Sequence, residues 1–136
     1  MKTILVVEDD PARLIALAMI MRSWGYAVIE ANNYEEARLI CLEHSGPIQV
    51  LLTDYALWAN GDPLLVDRLL ALSPEMQVLF MFSSPTNVLH RPLPCSCTFL
   101  PKPFGPADLA NAAWALEAGR TKESQPVEAS LVMRAS

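Results

Sequence analysis

Three parts of the chain carry side chains that could do chemistry together: the acidic triplet Glu8-Asp9-Asp10, the lone acid Asp54 and the cation Lys102. Carboxylates crowded into one crevice repel one another unless something neutralises them. A divalent cation is the simplest remedy, and an all-oxygen ligand set favours Mg²⁺, Mn²⁺ or Ca²⁺ over zinc. A lysine beside such a metal adds a second positive group. Metal and lysine together would bind a tetrahedral dianion next to a carboxylate. That is the equipment of phosphoryl transfer, an in-line nucleophile with positive charge aimed at the equatorial oxygens. Taken singly, each part has an ordinary reading. Strands commonly end in an acid, an acidic triplet before Pro11 suits a helix N-terminus through the macrodipole, and an isolated lysine is usually solvated. The chemistry requires all three to meet, which depends on the elements that carry them.

Each part follows an apolar run. Residues 3–7 form a β-branched, apolar stretch of strand length, with the acids at its carboxyl end. Pro11 opens a helix that runs to about residue 24 and stops near Gly25. Residues 26–30 read as a second strand and 34–44 as a helix with Ala37, Ile40 and Cys41 on its apolar face. Residues 48–53 form a third strand that ends on Asp54. Turn chemistry at 59–63 precedes a helix at 64–72, closed by Ser73-Pro74. Residues 78–82 are apolar at every position, as in a sheet covered on both faces. Residues 85–94 hold Pro85, Pro92 and Pro94, so the fourth helix is shortened. A fifth strand at 98–100 and a last helix at 106–118 complete the pattern, and residues 119–136 read as a flexible C-terminal tail.

Strands alternating with helices imply right-handed βαβ units and a parallel sheet. Five units suit a flavodoxin-like (βα)5 doubly wound parallel sheet of strand order 2-1-3-4-5. Strands 1 and 3 are then neighbours. Three or four carboxylates would leave one sheet edge at the switch point, where open α/β sheets bind ligands.

Composition narrows the function classes. The 136 residues are 52% hydrophobic and 18% charged, which describes a globular domain. A net charge of −5 argues against direct contact with nucleic acid. No apolar run is long enough for a membrane span, and the N-terminus lacks a signal-peptide pattern. The odd set Cys41, Cys95 and Cys97 points to reduced thiols in a cytoplasm. His90 with Cys95 and Cys97 lacks a fourth zinc ligand at convincing spacing. There is no Gly-rich phosphate loop and no Ser-His-acid arrangement.

Over about residues 1–118 the chain resembles the receiver domains of bacterial two-component response regulators, in particular the stand-alone CheY-like ones. The resemblance rests on Ile4-Leu5-Val6-Val7-Glu8-Asp9-Asp10, on Leu51-Leu52-Thr53-Asp54-Tyr55 and on Phe99-Leu100-Pro101-Lys102-Pro103-Phe104, with Asp108-Leu109 in the helix that follows. It implies that Asp54 is the phosphoacceptor, that Asp9 and Asp54 ligate Mg²⁺, and that Glu8 acts on the metal through water. It further implies a metal bond from the backbone carbonyl of Ala56, a phosphoryl contact from Lys102, a cis bond before Pro103 and a switch aromatic at Phe99. The implied partners are a sensor histidine kinase or histidine phosphotransfer protein and a downstream effector protein. Homodimers through the face of the fourth helix, fifth strand and fifth helix are a further implication. Chemistry on the chain itself would be limited to its own phosphorylation and dephosphorylation.

Two stretches depart from the family pattern. A Thr or Ser normally ends strand 4, and here the chain reads Phe82-Ser83-Ser84, so either Phe82 or Ser83 stands at the switch position; Ser83 is the preferred choice. Residues 55–62 carry Trp58 where a Pro-Gly turn is common, and Trp58 reads either as loop packing or as a shield or partner surface. These departures support an alternative, a phosphate-independent pseudo-receiver acting as an interaction module. A phosphohydrolase with external substrates is disfavoured, because Ala56 stands where a second general acid would be needed.

Overall fold

The five apolar runs become strands β1 (Thr3–Val7), β2 (Ala27–Ala31), β3 (Val50–Asp54), β4 (Gln77–Phe82) and β5 (Cys97–Pro101). In this computed structural model, which describes residues 2–61, 64–83 and 97–117, they pair in parallel in the order β2-β1-β3-β4-β5. This is the flavodoxin-like order expected from the sequence. The helices are α1 (Pro11–Ser23), α2 (Tyr34–Glu43), α3 (Tyr55–Asn60), α4 (Leu64–Leu72) and α5 (Pro106–Glu117). The shortened helix expected at 85–94, the residues His90 and Cys95, and the tail at 119–136 lie outside the described residues. Among the described residues, no helix is long and apolar enough to cross a membrane.

Alternation along the strands explains why they are apolar throughout. Successive side chains point to opposite faces, and both faces are covered. Leu5, Val7, Leu51, Val78, Phe80 and Phe82 join one core under α2, α3 and α4. Ile4, Val6, Val50, Leu52, Leu79 and Met81 join the other, against Leu14, Leu17 and Met21 of α1 and Leu109, Ala113 and Leu116 of α5. A polar residue at any central position would face one of two dry layers. Thr53 is the instructive exception. It is fully buried, but its Oγ1 donates to the Val7 carbonyl at 3.1 Å and bonds the Tyr34 hydroxyl at 2.8 Å, so no polar atom of that pair is stranded.

Local signals set the helix ends. Pro11 occupies the first turn of α1, where no amide partner is lost. Beyond α1, Gly25 takes φ +94°, and its amide closes on the Arg22 carbonyl at 3.0 Å. Asn33 caps α2 by accepting from the Glu36 amide at 2.7 Å, while Glu36 accepts from the Asn32 amide at 2.6 Å.

One stretch differs from the sequence expectation. Residues 55–60, read as loop, form α3. Two forces make this short helix. Asp54 serves as its N-cap, its Oδ1 accepting from the Ala56 amide at 2.7 Å. Tyr55 and Trp58, three residues apart and so on one helical face, are both buried against Phe80. Trp58 is therefore core packing. It is 1% exposed, which rules out the partner-surface reading.

Candidate functional site

The sheet order brings the carboxyl ends of β1 and β3 side by side, with Val7 in register with Thr53. The next residues, Glu8-Asp9 and Asp54, leave the sheet together. Lys102 reaches the same edge from β5, two strands away from β3 across β4. Its backbone amide is anchored on the Phe82 carbonyl at 2.8 Å, and the Lys102–Pro103 bond is cis. A cleft of about 390 Å³ opens there, and its lining includes Asp9, Arg13, Asp54, Ala56, Ser83 and Lys102.

Asp54 is held at both oxygens. Oδ1 accepts the Ala56 amide, and Oδ2 accepts from Lys102 Nζ at 2.5 Å. With side-chain exposures of 16% and 26%, this ion pair is largely shielded from water. A charge-assisted bond in such a setting is stronger than one on an open surface. Asp54 therefore presents a carboxylate of fixed orientation, with a cation beside the place where a tetrahedral anion would sit.

The acidic triplet carries a partner that the sequence reading did not name. A cation of the chain, Arg13, pairs with two of the three acids, Glu8 and Asp10. Arg13, in the first turn of α1, donates from Nε to Glu8 Oε2 at 3.3 Å and approaches the same oxygen with Nη2 at 3.2 Å. It also lies 3.5 Å from Asp10 Oδ2. The Asp10 amide adds a second hydrogen bond to Glu8 Oε2 at 3.1 Å. Glu8 is 1% exposed, and burial pushes its carboxyl above the ordinary value of 4.5, with the Asp10 amide and Arg13 opposing the rise and the neighbouring Asp9 adding to it. Burial likewise raises the Tyr34 hydroxyl beneath the site. Asp9 lines the cleft, and Asp10 stands one residue further on, turned towards Arg13.

The donor set fits Mg²⁺. Among the described residues, no three His, Cys, Asp or Glu side chains form a ready-made metal cage. Mg²⁺ needs no such cage, because it keeps several waters and is commonly held by one or two carboxylates. Asp9 and Asp54, both on the cleft, supply hard oxygens of that kind.

The two candidates for the switch position separate cleanly. β4 ends at Phe82, whose ring is buried and meets Phe99 edge-on at 5.8 Å. Ser83, beyond the strand end, is exposed on the cleft. Phe99 is buried in an aromatic group with Phe80 at 5.7 Å and Tyr55 at 6.0 Å. Cys41 and Cys97 are both buried in the core beneath α2, α3 and α4.

Two features of the site were missed in the sequence. Arg13 had a readable signal, its spacing of three from Asp10 in a helix opened by Pro11. Tyr34 under Thr53 had none, because the contact joins α2 to β3 across the layer.

Comparison with known proteins places this geometry. No protein-family profile matches the chain. Over 110 residues, 79% of the chain, it is 31% identical to the sensor kinase CckA of Brucella abortus, and it spans 12% of the length of that curated relative. The crystal structure of the receiver domain from the hybrid histidine kinase CckA is 31% identical, with 85% of this chain and 98% of that one covered and a TM-score of 0.66. A Burkholderia pseudomallei response regulator, crystallised with a phosphorylated aspartic acid, calcium ion and citrate, shares the fold. It is 24% identical, with 95% of this chain and 74% of that one covered and a TM-score of 0.70.

Proposed function

The chain belongs to the receiver family of two-component signalling, and from that premise we propose that it accepts a phosphoryl group on Asp54 and signals by changing the surface it offers a partner. The observation that carries this reading is the pairing of Asp54 with Lys102 at 2.5 Å on a cleft also lined by Asp9. The donor is a phosphohistidine of a sensor histidine kinase or phosphotransfer protein, in a cytoplasmic setting. A P–N bond breaks as a P–O bond forms to an Asp54 oxygen, and the leaving imidazole takes up a proton.

Each residue has a task. The Ala56 amide orients the carboxylate. Lys102, which holds Oδ2 at rest, passes to the phosphoryl oxygens as they arrive, and Ser83 offers a hydroxyl from the rim. Asp9, Asp54, the Ala56 carbonyl and, through water, Glu8 would hold Mg²⁺. When bound, the cation neutralises charge on the transferring group. The phosphorylated aspartate and calcium ion of the Burkholderia protein support this arrangement by analogy. The chain modifies only itself and turns over no external substrate. Its output passes to an effector protein, with Phe99 as the switching aromatic and homodimers as one form of the signalling state.

The test is intact mass after incubation with acetyl phosphate, with and without Mg²⁺. A Mg²⁺-dependent gain of one phosphoryl group, absent in Asp54→Asn, is the expected result. A specific observation favours a second reading. Phe82 fills the last position of β4 and packs on Phe99, which leaves no hydroxyl at the strand end itself. If neither acetyl phosphate nor a histidine kinase labels the wild type, the phosphate-independent interaction module becomes the better account.

A further inference from the structure

The organisation of the acids around Arg13 carries a consequence for metal binding that rests on the reading above. Glu8 is almost wholly buried, and one of its oxygens accepts hydrogen bonds from the Asp10 amide and Arg13 Nε while Arg13 Nη2 lies 3.2 Å away as an ion-pair contact. The same guanidinium lies against Asp10 and lines the cleft that holds Asp9 and Asp54. The cleft thus contains two cations of the chain, Lys102 on Asp54 and Arg13 on Glu8, before any metal arrives.

We propose that Arg13 is a tethered counter-ion that competes with the divalent cation for the acid cluster, so that metal uptake requires the guanidinium to release Glu8. Three facts make release feasible. The Arg13 side chain is 60% exposed, so solvent can receive it. Its contacts with Glu8, at 3.2–3.3 Å, are longer than the pairing of Lys102 with Asp54 at 2.5 Å. A small, mostly apolar cavity lined by Arg13, Ala16, Leu17 and Met81 lies beside it, so the side chain has space to move into. Release is also driven, because a divalent cation and a guanidinium in one cleft repel each other. In the metal-free protein Arg13 holds Glu8 in a paired state, and this lowers the affinity of the site. The device makes occupancy of the cleft depend on the free Mg²⁺ level instead of saturating at low concentration.

The experiment is isothermal titration of Mg²⁺ into the full chain at fixed ionic strength, for wild type, Arg13→Met, Glu8→Gln and the double variant. Arg13→Met keeps the apolar stem and removes the charge. It is expected to tighten Mg²⁺ binding by about three- to tenfold, the scale of an exposed ion pair together with relieved like-charge repulsion. In the Glu8→Gln background the same change should move the affinity by less than about twofold, because the partner through which Arg13 acts is gone. Unchanged or weaker binding in Arg13→Met, with the wild type binding Mg²⁺, overturns the counter-ion role and leaves the receiver reading standing. Absence of Mg²⁺ uptake in wild type and Arg13→Met alike overturns both.

Discussion

Replacing Trp58 by alanine tests the claim that the helix after the phosphoacceptor is held by the core. The indole is 1% exposed and meets Tyr55 and Phe80, each with ring centroids 5.4 Å away. A buried tryptophan removes roughly 200 Å² from water, and at about 25 cal/mol per Å² that is ~5 kcal/mol. Partial collapse of the neighbours reduces the loss, so the expected destabilisation is about 3–5 kcal/mol. For a domain of this size each kcal/mol lowers Tm by roughly 4 °C, so a fall of ~12 °C or more is expected. Urea unfolding followed by far-ultraviolet circular dichroism gives the free energy, and a thermal scan gives Tm. A loss below ~1 kcal/mol with an unchanged urea slope would show that the indole is a surface group. It would also refute the account of α3 as a helix made by burial. Trp58→Phe keeps a ring in the pocket and should cost clearly less, about 1–2 kcal/mol.

Three further outcomes follow from the site and its foundations. Asp54→Asn and Asp54→Ala both lose the pairing with Lys102, but asparagine can still accept the Ala56 amide; alanine should be the less stable of the two by ~1 kcal/mol in urea unfolding, the worth of an N-cap. Tyr34→Phe removes the hydroxyl bonded to Thr53 while leaving Thr53 its bond to Val7, and should cost about 0.5–1.5 kcal/mol, with a larger loss pointing to a role for the hydroxyl beyond this bond. Because burial holds Glu8 above 4.5, the folded protein binds that proton more tightly than the unfolded chain does. The resulting stability is full below the ordinary value and is lost as pH rises through the raised one. Urea midpoints measured from acid to neutral pH should therefore fall less steeply in Glu8→Gln than in wild type across that window, and parallel curves would contradict the assignment.

Much of the molecule was legible in the chain. Strand–helix alternation and uninterrupted apolar runs such as 78–82 specify a parallel sheet with two covered faces, since only that arrangement buries every residue of such a run. Five βα units suit the order 2-1-3-4-5, and once it is given, the acids after β1 and β3 share an edge. The start of α1 was also readable, because Pro11 suits a first turn through its own backbone geometry.

Tertiary structure decided what depends on partners distant along the chain. Residues 55–60 read as loop because six residues carry too little periodicity to announce a helix; burial of Tyr55 and Trp58 against Phe80 supplies the energy that propensity alone does not. The pairing of Phe82 with Phe99, and the exposure of Ser83 beside the cleft, follow from where β4 stops, a boundary no residue type marks. The acid types identified a place for positive charge without identifying its source. Spacing puts Arg13 one turn from Asp10, but its reach onto the buried Glu8 depends on how α1 packs beside the carboxyl end of β1.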